Sequence, residues 1–393
     1  MRKAFMAMSA LVFGVVLSVL MIEVGMRVAG LSYPIFFVPD PMAGGHMWPH
    51  LKAWWNHEGN AYVEVNSFGY RDKEHDKTKG QGEFRIAFLG DSFTAALQVD
   101  FEDTYLSVIR RELAHCQALS GREVVPMNFG ISGFGTAQAI TVLQGLAWDF
   151  DPDLVVLNFT ANDFTDNSPA WGGRGVKPFY VFDEEGLLVR DDSFRTSPEF
   201  VKRNSPLSQW RREFIQQSRF LQLLVELRAA LSRRQLTAKA ELTVGGRFQR
   251  PPEEEKVKDA WRVTEGVLSL FAEEVRARDR DFVLLVTPSG KQVNPDPEYR
   301  AQRMEVIGPE NLFYWNRRIQ AFAEEREMEV VNLDQEMFDY SVRNQVCLYG
   351  FENAVPCGGH WNEEGHRLAG ERTAESICAL LESSNAKDPM VPR

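Results

Sequence analysis

Apolar positions follow three different regimes along the chain. The first is a continuous run over residues 4–22, preceded by Arg2 and Lys3. As a helix, this run rises about 28 Å, close to the hydrocarbon thickness of a bilayer. The basic flank predicts a cytoplasmic start, with everything beyond Glu23 on the exported side, periplasmic or extracellular. A cleaved signal peptide is the alternative, since Val28-Ala29-Gly30 offers a weak cleavage site. Glu23 and Arg27 separate that site from the apolar run, and the run is long for a signal. Residues 1–25 are therefore expected to be a retained transmembrane signal-anchor.

The second regime, residues 26–80, lacks sustained periodicity and is rich in Pro, Gly, Trp and His from residue 31 onward. It reads as an extended connector. His46, His50 and His57 lie close together there, but no acidic or thiol partner sits at ligand spacing. Surface or packing roles are expected for them, and no metal.

The third regime begins at residue 84, where short apolar runs alternate with helical patterns. Strands are predicted at 84–89, 124–128, 154–159, 282–286 and 329–333. Helices are predicted near 103–116, 134–148, 257–279, 309–326 and 363–382. Near-continuous apolar strands suit a parallel sheet buried on both faces. The expected fold class is α/β: five parallel strands with helices on both faces, in which ligands bind beyond the carboxyl ends of the strands. The domain spans 81–385, followed by a tail at 386–393.

An insertion at 165–258 interrupts the alternation. It holds a possible hairpin from Tyr180 to Arg190, a long helical pattern near 207–235, and a polar stretch to about Glu255. Phe214, Phe220, Leu221, Leu224 and Leu227 give the helix an apolar stripe, expected first of all to pack on the domain, with lid, partner or membrane contact as alternatives.

Composition changes this picture in two places. The net charge of -11 argues against a nucleic-acid partner, which needs a basic face. The four cysteines contain no C-x-x-C pair, which disfavours a zinc ribbon or a redox motif. In an oxidising compartment, Cys347 and Cys357 are plausible disulfide partners across a short loop.

Candidate chemistry sits in the loops after the strands. Gly90-Asp91-Ser92 follows the first, Asn128-Phe129-Gly130 the second, and Thr160-Ala161-Asn162-Asp163 the third. His360 enters the last helix through His360-Trp361-Asn362. A serine hydroxyl is a weak nucleophile that needs a base within hydrogen-bond reach, and a histidine can serve. Gly130 would let the backbone approach a substrate closely, and Asn162 would supply an amide donor. Asp91 and Asp163 are expected to bond their own loops, and His366 to pack or cap the final helix. No Walker or G-x-G-x-x-G loop is present, and no cofactor is called for.

These four blocks, in this order, resemble those of the SGNH/GDSL hydrolase superfamily. The resemblance implies a flavodoxin-like three-layer fold and ester chemistry on acyl groups of sugars or lipids. It implies Ser92 as nucleophile, His360 as base, and an oxyanion hole from the Ser92 and Gly130 N–H groups and the Asn162 side chain. Asn66-Ser67-Phe68-Gly69-Tyr70-Arg71-Asp72 is similar to the lead-in of membrane-anchored members related to polysaccharide O-acetyltransfer proteins. The expected activity is removal of acyl groups, acetyl first, from envelope carbohydrate. A polysaccharide O-acetyltransferase, a lipid esterase and a non-catalytic carbohydrate-binding scaffold are the alternatives.

One position departs from the family. An Asp is usual three residues before the histidine, and here Cys357 occupies that place. Glu352, Asp334 or Asp339 could substitute, a backbone carbonyl could hold the ring, or activity could be weak or lost.

Overall fold

The computed structural model describes residues 2–172, 175–240, 245–307 and 312–387. At its centre are five parallel strands: β1 (Glu83–Leu89), β2 (Glu123–Asn128), β3 (Leu154–Phe159), β4 (Asp281–Val286) and β5 (Glu329–Asn332). Their order across the sheet is β5-β4-β3-β1-β2. The chain winds outward from β1 in one direction to β2 and in the other to β3, β4 and β5. The loops after β1, β2 and β3 therefore meet at the carboxyl edge where the winding reverses, as in flavodoxin-like sheets.

Strand alternation divides the core into two layers. Ala87, Leu89, Leu284 and Val286 face one side, with Ile140, Trp261, Phe271 and Ile319 of helices Thr136–Gly145, Glu255–Arg276 and Tyr314–Glu325. Phe84, Ile86, Phe88, Val283 and Leu285 face the other, with Tyr105, Ile109, Met337, Leu368 and Ile377. Those come from helices Tyr105–Leu113, Asp334–Asn344 and Glu363–Lys387. The result is the three-layer α/β/α sandwich with helices on both faces. Asp334–Asn344 is not among the helices the sequence predicts, because only Asp334, Met337 and Ser341 are buried and its outer positions are polar.

The structure pairs Cys347 with Cys357 and Cys116 with Cys378. The second bond ties the end of the first sheet-covering helix to the last helix across 262 residues. Closing so long a loop restricts the unfolded chain, and replacing both Cys116 and Cys378 by Ser is expected to cost about 2–5 kcal/mol, read as a lowered denaturant midpoint.

The connector is more ordered than its sequence suggests. Phe37–Asp40 pairs antiparallel with Gly44–Met47, and Lys52–Trp55 with Ala61–Glu64. The stretch from Asn66 to Asp72 then clamps the domain. Buried Arg71 donates to the carbonyls of Ala96 and Val99 (2.6 Å for the latter) just past the turn that carries Ser92. Asp72 accepts from the Asn128 N–H at 2.7 Å, at the end of β2. The connector is thus built onto the edge where the site lies.

Within the insertion, the hairpin forms from Phe179–Phe182 and Leu188–Asp191. The long helical pattern divides into Pro206–Gln217 and Arg219–Ala240, with an extended Ser218 between them. Phe220 and Leu221 are half-buried, but Phe214, Leu224 and Leu227 face outward, against the expectation that this stripe packs on the domain. Arg2–Val28 is one helix, long and apolar enough to cross a membrane, with a mean hydropathy of 2.5 in its most apolar window and no burial of that window against the protein.

Candidate active site

Ser92 opens a four-residue helix, Ser92–Ala95, directly after β1. Asp91 caps it, its Oδ1 accepting the Phe93 N–H at 2.9 Å. The same carboxylate accepts Thr160 Oγ1 and Asn162 Nδ2 through Oδ2, each at 2.9 Å, and so ties the β1 and β3 loops together. Burial pushes the Asp91 carboxyl up, although those bonds favour its charged form.

His360 reaches this turn from the loop before the last helix. Its Nε2 lies 2.7 Å from Ser92 Oγ. Phe93 packs on the imidazole face, ring centroids 5.1 Å apart, and on Trp361 at 5.0 Å. The orienting group on the other nitrogen is Glu58. Its Oε2 lies 2.5 Å from His360 Nδ1, while its Oε1 accepts the His360 backbone N–H at 2.8 Å. Burial acts to raise the Glu58 pKa, but the hydrogen bonds and charge of His360 outweigh it and hold the carboxyl below its usual range.

None of the carboxylates expected to take this role does so. Glu352 and Asp339 are exposed, and Asp339 accepts from Gln335 on its own helix. Asp334 opens that helix and accepts the Gln335 N–H at 2.5 Å. No backbone carbonyl is needed for the ring. Cys357, at the family's Asp position, is joined to Cys347.

Glu58 comes from the turn between strands Lys52–Trp55 and Ala61–Glu64, and two contacts hold that turn. Asn353 bonds it from both sides, accepting the Gly59 N–H at 2.9 Å and donating to the Gly59 carbonyl at 2.8 Å. Gly59 has φ +70° and lies so near the Gln98 carbonyl that a Cβ would sit 2.1 Å from that oxygen, so only glycine fits. The sequence signal was the period-two alternation of Ala53, Trp55, Ala61 and Val63, which marks a hairpin but not its destination.

Two of the three oxyanion-hole candidates donate to neighbouring side chains. The Ser92 N–H has no hydrogen-bond partner among the described residues. The Gly130 N–H donates to Asn128 Oδ1 at 2.8 Å. Asn162 Nδ2 donates to Asp91, and to Asp166 Oδ2 at 3.2 Å. The need for glycine at 130 is also different from the expected one. A Cβ there would meet Thr94 Cβ at 2.5 Å and the Ala95 nitrogen at 2.6 Å, so the bare backbone lets the β2 loop pack on the Ser92 helix. Gly130→Ala is expected to push that helix away from His360 and lower kcat more than it raises KM, a split that steady-state kinetics reads.

The other polar candidates have structural partners. Asp163 is buried, accepts from Thr136 Oγ1 at 2.8 Å and the Thr160 N–H at 2.9 Å, and is pushed up to about 8 by burial and by facing Asp91. His366 accepts the Tyr105 N–H at 3.3 Å and is pushed down to about 3 by burial and the Arg71 charge, so its imidazole stays neutral. His46, His50 and His57 turn to separate partners: the Met47 carbonyl, Glu74 and Glu226.

A cavity of about 370 Å³ opens beside Asn162 and Gly359. Phe93, Thr287, Lys291 and Arg303 line it, with Gln249 from the insertion, which therefore walls part of that cavity. The arrangement offers a hydroxyl, an imidazole, a carboxylate behind it, and a cavity beside them.

A comparison with curated proteins gives no match. Among solved structures, an acetyl xylan esterase aligns over 75% of this chain and all of its own, at 11% identity and a TM-score of 0.37. A catalytic mutant of an acetylxylan esterase from Geobacillus stearothermophilus aligns over 77% and 96%, at 12% identity and a TM-score of 0.39. A two-domain esterase active on acetylated mannans aligns over 77% and 50%, at 11% and 0.35. The model of the GDSL-like lipase/acylhydrolase family matches residues 88–368, most of the chain, and the protein belongs to that family.

Proposed function

We propose that this protein is an exported, membrane-anchored serine esterase that removes O-acyl groups, acetyl foremost, from envelope carbohydrate through an acyl-Ser92 intermediate. The observation that carries the reading is the continuous chain from Glu58 through His360 to Ser92, at 2.5 and 2.7 Å. His360 Nε2 takes the hydroxyl proton as Ser92 Oγ attacks the ester carbonyl. Glu58 holds the ring in the tautomer with its proton on Nδ1 and stabilises the imidazolium. His360 then protonates the departing alcohol, and water attacks the acyl-enzyme by the same route in reverse.

The Ser92 N–H is ready to receive the developing oxyanion. Asn162 joins it by giving up its longer bond, to Asp166, while keeping the one to Asp91. Gly130 contributes when Asn128 releases its N–H. A donor of this kind typically accounts for about 10²–10³ in rate.

Transfer to a sugar hydroxyl instead of water shares the first half-reaction, and the likeness of Asn66–Asp72 to O-acetyltransfer proteins favours keeping it as the second reading. The absent Asp at 357 speaks for a non-catalytic scaffold, and the Glu58 carboxylate beside His360 speaks against it. Full-length protein given an acetyl ester, with water alone or with an acetyl-free glycan, decides between the two. Free acetate in both mixtures supports hydrolysis; acetylated glycan supports transfer. Turnover of long-chain esters in preference to acetyl esters overturns the carbohydrate assignment in favour of lipid.

A further inference from the structure

The two insertion helices share one surface pattern. In Pro206–Gln217, Leu207, Trp210 and Phe214 stand exposed at spacings of three and four, with Arg211 beside them. In Arg219–Ala240, Leu224, Leu227 and Leu231 repeat the spacing, with Arg228 in the corresponding place. Leu207 is 74% exposed and Trp210 60%. Trp210 and Phe214 stack on each other, ring centroids 5.5 Å apart, with their outer faces open. The opposite face, with Arg212, Ile215 and Gln216, is half-buried. Both helices thus turn an apolar stripe flanked by arginine away from the domain. Exposed apolar stripes of this kind mark an interaction surface.

What covers the patch follows from where it is attached. The first helix ends against these two helices. Glu23 caps the second of them, accepting the Phe220 N–H at 2.9 Å and the Ser218 hydroxyl at 3.1 Å. Arg27 donates to the Gln217 carbonyl at 2.7 Å, satisfying the end of the first. Gln222 and Gln216 accept the Tyr33 and Ile35 N–H groups at 3.0 and 2.8 Å, holding the chain as it leaves the apolar helix. A helix of 27 residues spans about 40 Å, so its end reaches the headgroup level of a bilayer that it crosses.

We propose that Pro206–Gln217 and Arg219–Ala240 lie in the headgroup–acyl boundary of the membrane, with lipid covering the stripes of Leu207, Trp210 and Phe214 and of Leu224, Leu227 and Leu231. This inference rests on reading the first helix as a membrane span. Tryptophan and arginine suit the place. An indole puts its ring among acyl chains and its N–H among headgroups, and arginine extends its stem over apolar surface toward phosphate. Docked this way, the domain is held at one height and orientation, not free to swing on a tether.

The test uses the full chain in nanodiscs of phosphatidylethanolamine and phosphatidylglycerol. All four native cysteines are disulfide-bonded, so a single introduced cysteine takes an environment-sensitive fluorophore. Trp210→Cys, Leu227→Cys, Val15→Cys and Glu185→Cys place it on the two helices, in the middle of the apolar helix, and on an exposed hairpin turn. Quenching by nitroxide lipids should be strongest from a shallow position for residues 210 and 227, about 5–10 Å below the headgroups. It should be strongest from a deep position for residue 15, and absent for residue 185. Deep quenching at 15 with 210 and 227 behaving like 185 overturns the docking and leaves the span standing. No quenching at 15 overturns both. A fluorescence shift at 210 and 227 without lipid quenching, together with crosslinking between copies, assigns the patch to a second copy and also overturns it. Phe214→Glu in the Leu227→Cys protein should reduce quenching to the residue 185 level while ester turnover persists.

Discussion

Glu58→Gln is expected to lower kcat for ester hydrolysis by about 10⁴-fold, the loss typical when the acid of a triad becomes an amide. The amide keeps the size and hydrogen-bonding reach of the carboxylate. It can still accept the His360 backbone N–H, a bond now made by Oε1 at 2.8 Å. What changes is charge and proton order. An amide nitrogen facing Nδ1 donates to it, which puts the ring proton on Nε2 and points it at Ser92 Oγ, where an acceptor is required. KM should move little, because Glu58 lies behind the ring, away from the cavity walls. A single cooperative thermal unfolding transition at neutral pH, lowered only by the lost Glu58 charge, would show that the fold is intact. Activity within tenfold of the unaltered enzyme would refute the role assigned to Glu58. The pH dependence carries the same sign. The Glu58 carboxyl is held below its usual range, so its contribution to stability is present above the ordinary carboxylate pKa and is lost as pH falls through the depressed value.

Ser92→Ala should have the larger effect, about 10⁶-fold in kcat, and should abolish covalent labelling by a fluorophosphonate probe. The substitution removes one oxygen from a helix whose cap is made by Asp91 and the Phe93 N–H, so the turn itself should persist. The residue also contributes its backbone N–H to the proposed oxyanion hole, and alanine retains that. Some acceleration over water, about 10³–10⁴, should therefore survive in the variant. Labelling that persists in Ser92→Ala would move the nucleophile elsewhere. Absence of labelling in the unaltered protein, together with no ester turnover, would return the chain to the scaffold reading. The two variants should not add. Once the hydroxyl is gone, the tautomer of His360 matters little, and the double variant should resemble Ser92→Ala alone.

The sheet was legible because its determinants are local. Runs such as Leu154-Val155-Val156-Leu157 can be buried on both faces only in a covered parallel strand, and the loops that follow them must then collect at one edge. For that reason Gly90-Asp91-Ser92, Gly130 and Asn162 could be placed together from the sequence, and the family resemblance added His360. Elements whose burial depends on remote partners were less legible. Asp334–Asn344 has too few buried positions for a clear helical period, and the helical pattern after Leu207 hides a break at Ser218 that is sealed by Glu23, 195 residues earlier in the chain.

By itself, then, the sequence determined the α/β architecture, the family and the residues meeting at the sheet edge, because hydrophobic period and loop motif are properties of neighbouring residues. Only the tertiary structure decided which of 55 acidic side chains faces His360. That group is Glu58, 302 residues away, on a hairpin turn fixed by Gln98 and Asn353. It also decided that Cys116 meets Cys378, that Gly130 packs on the Ser92 helix, and that the insertion turns its apolar stripes outward. Each of these is a meeting of surfaces after the chain has closed. No spacing along the chain encodes such a meeting, because the contact depends on where whole elements dock.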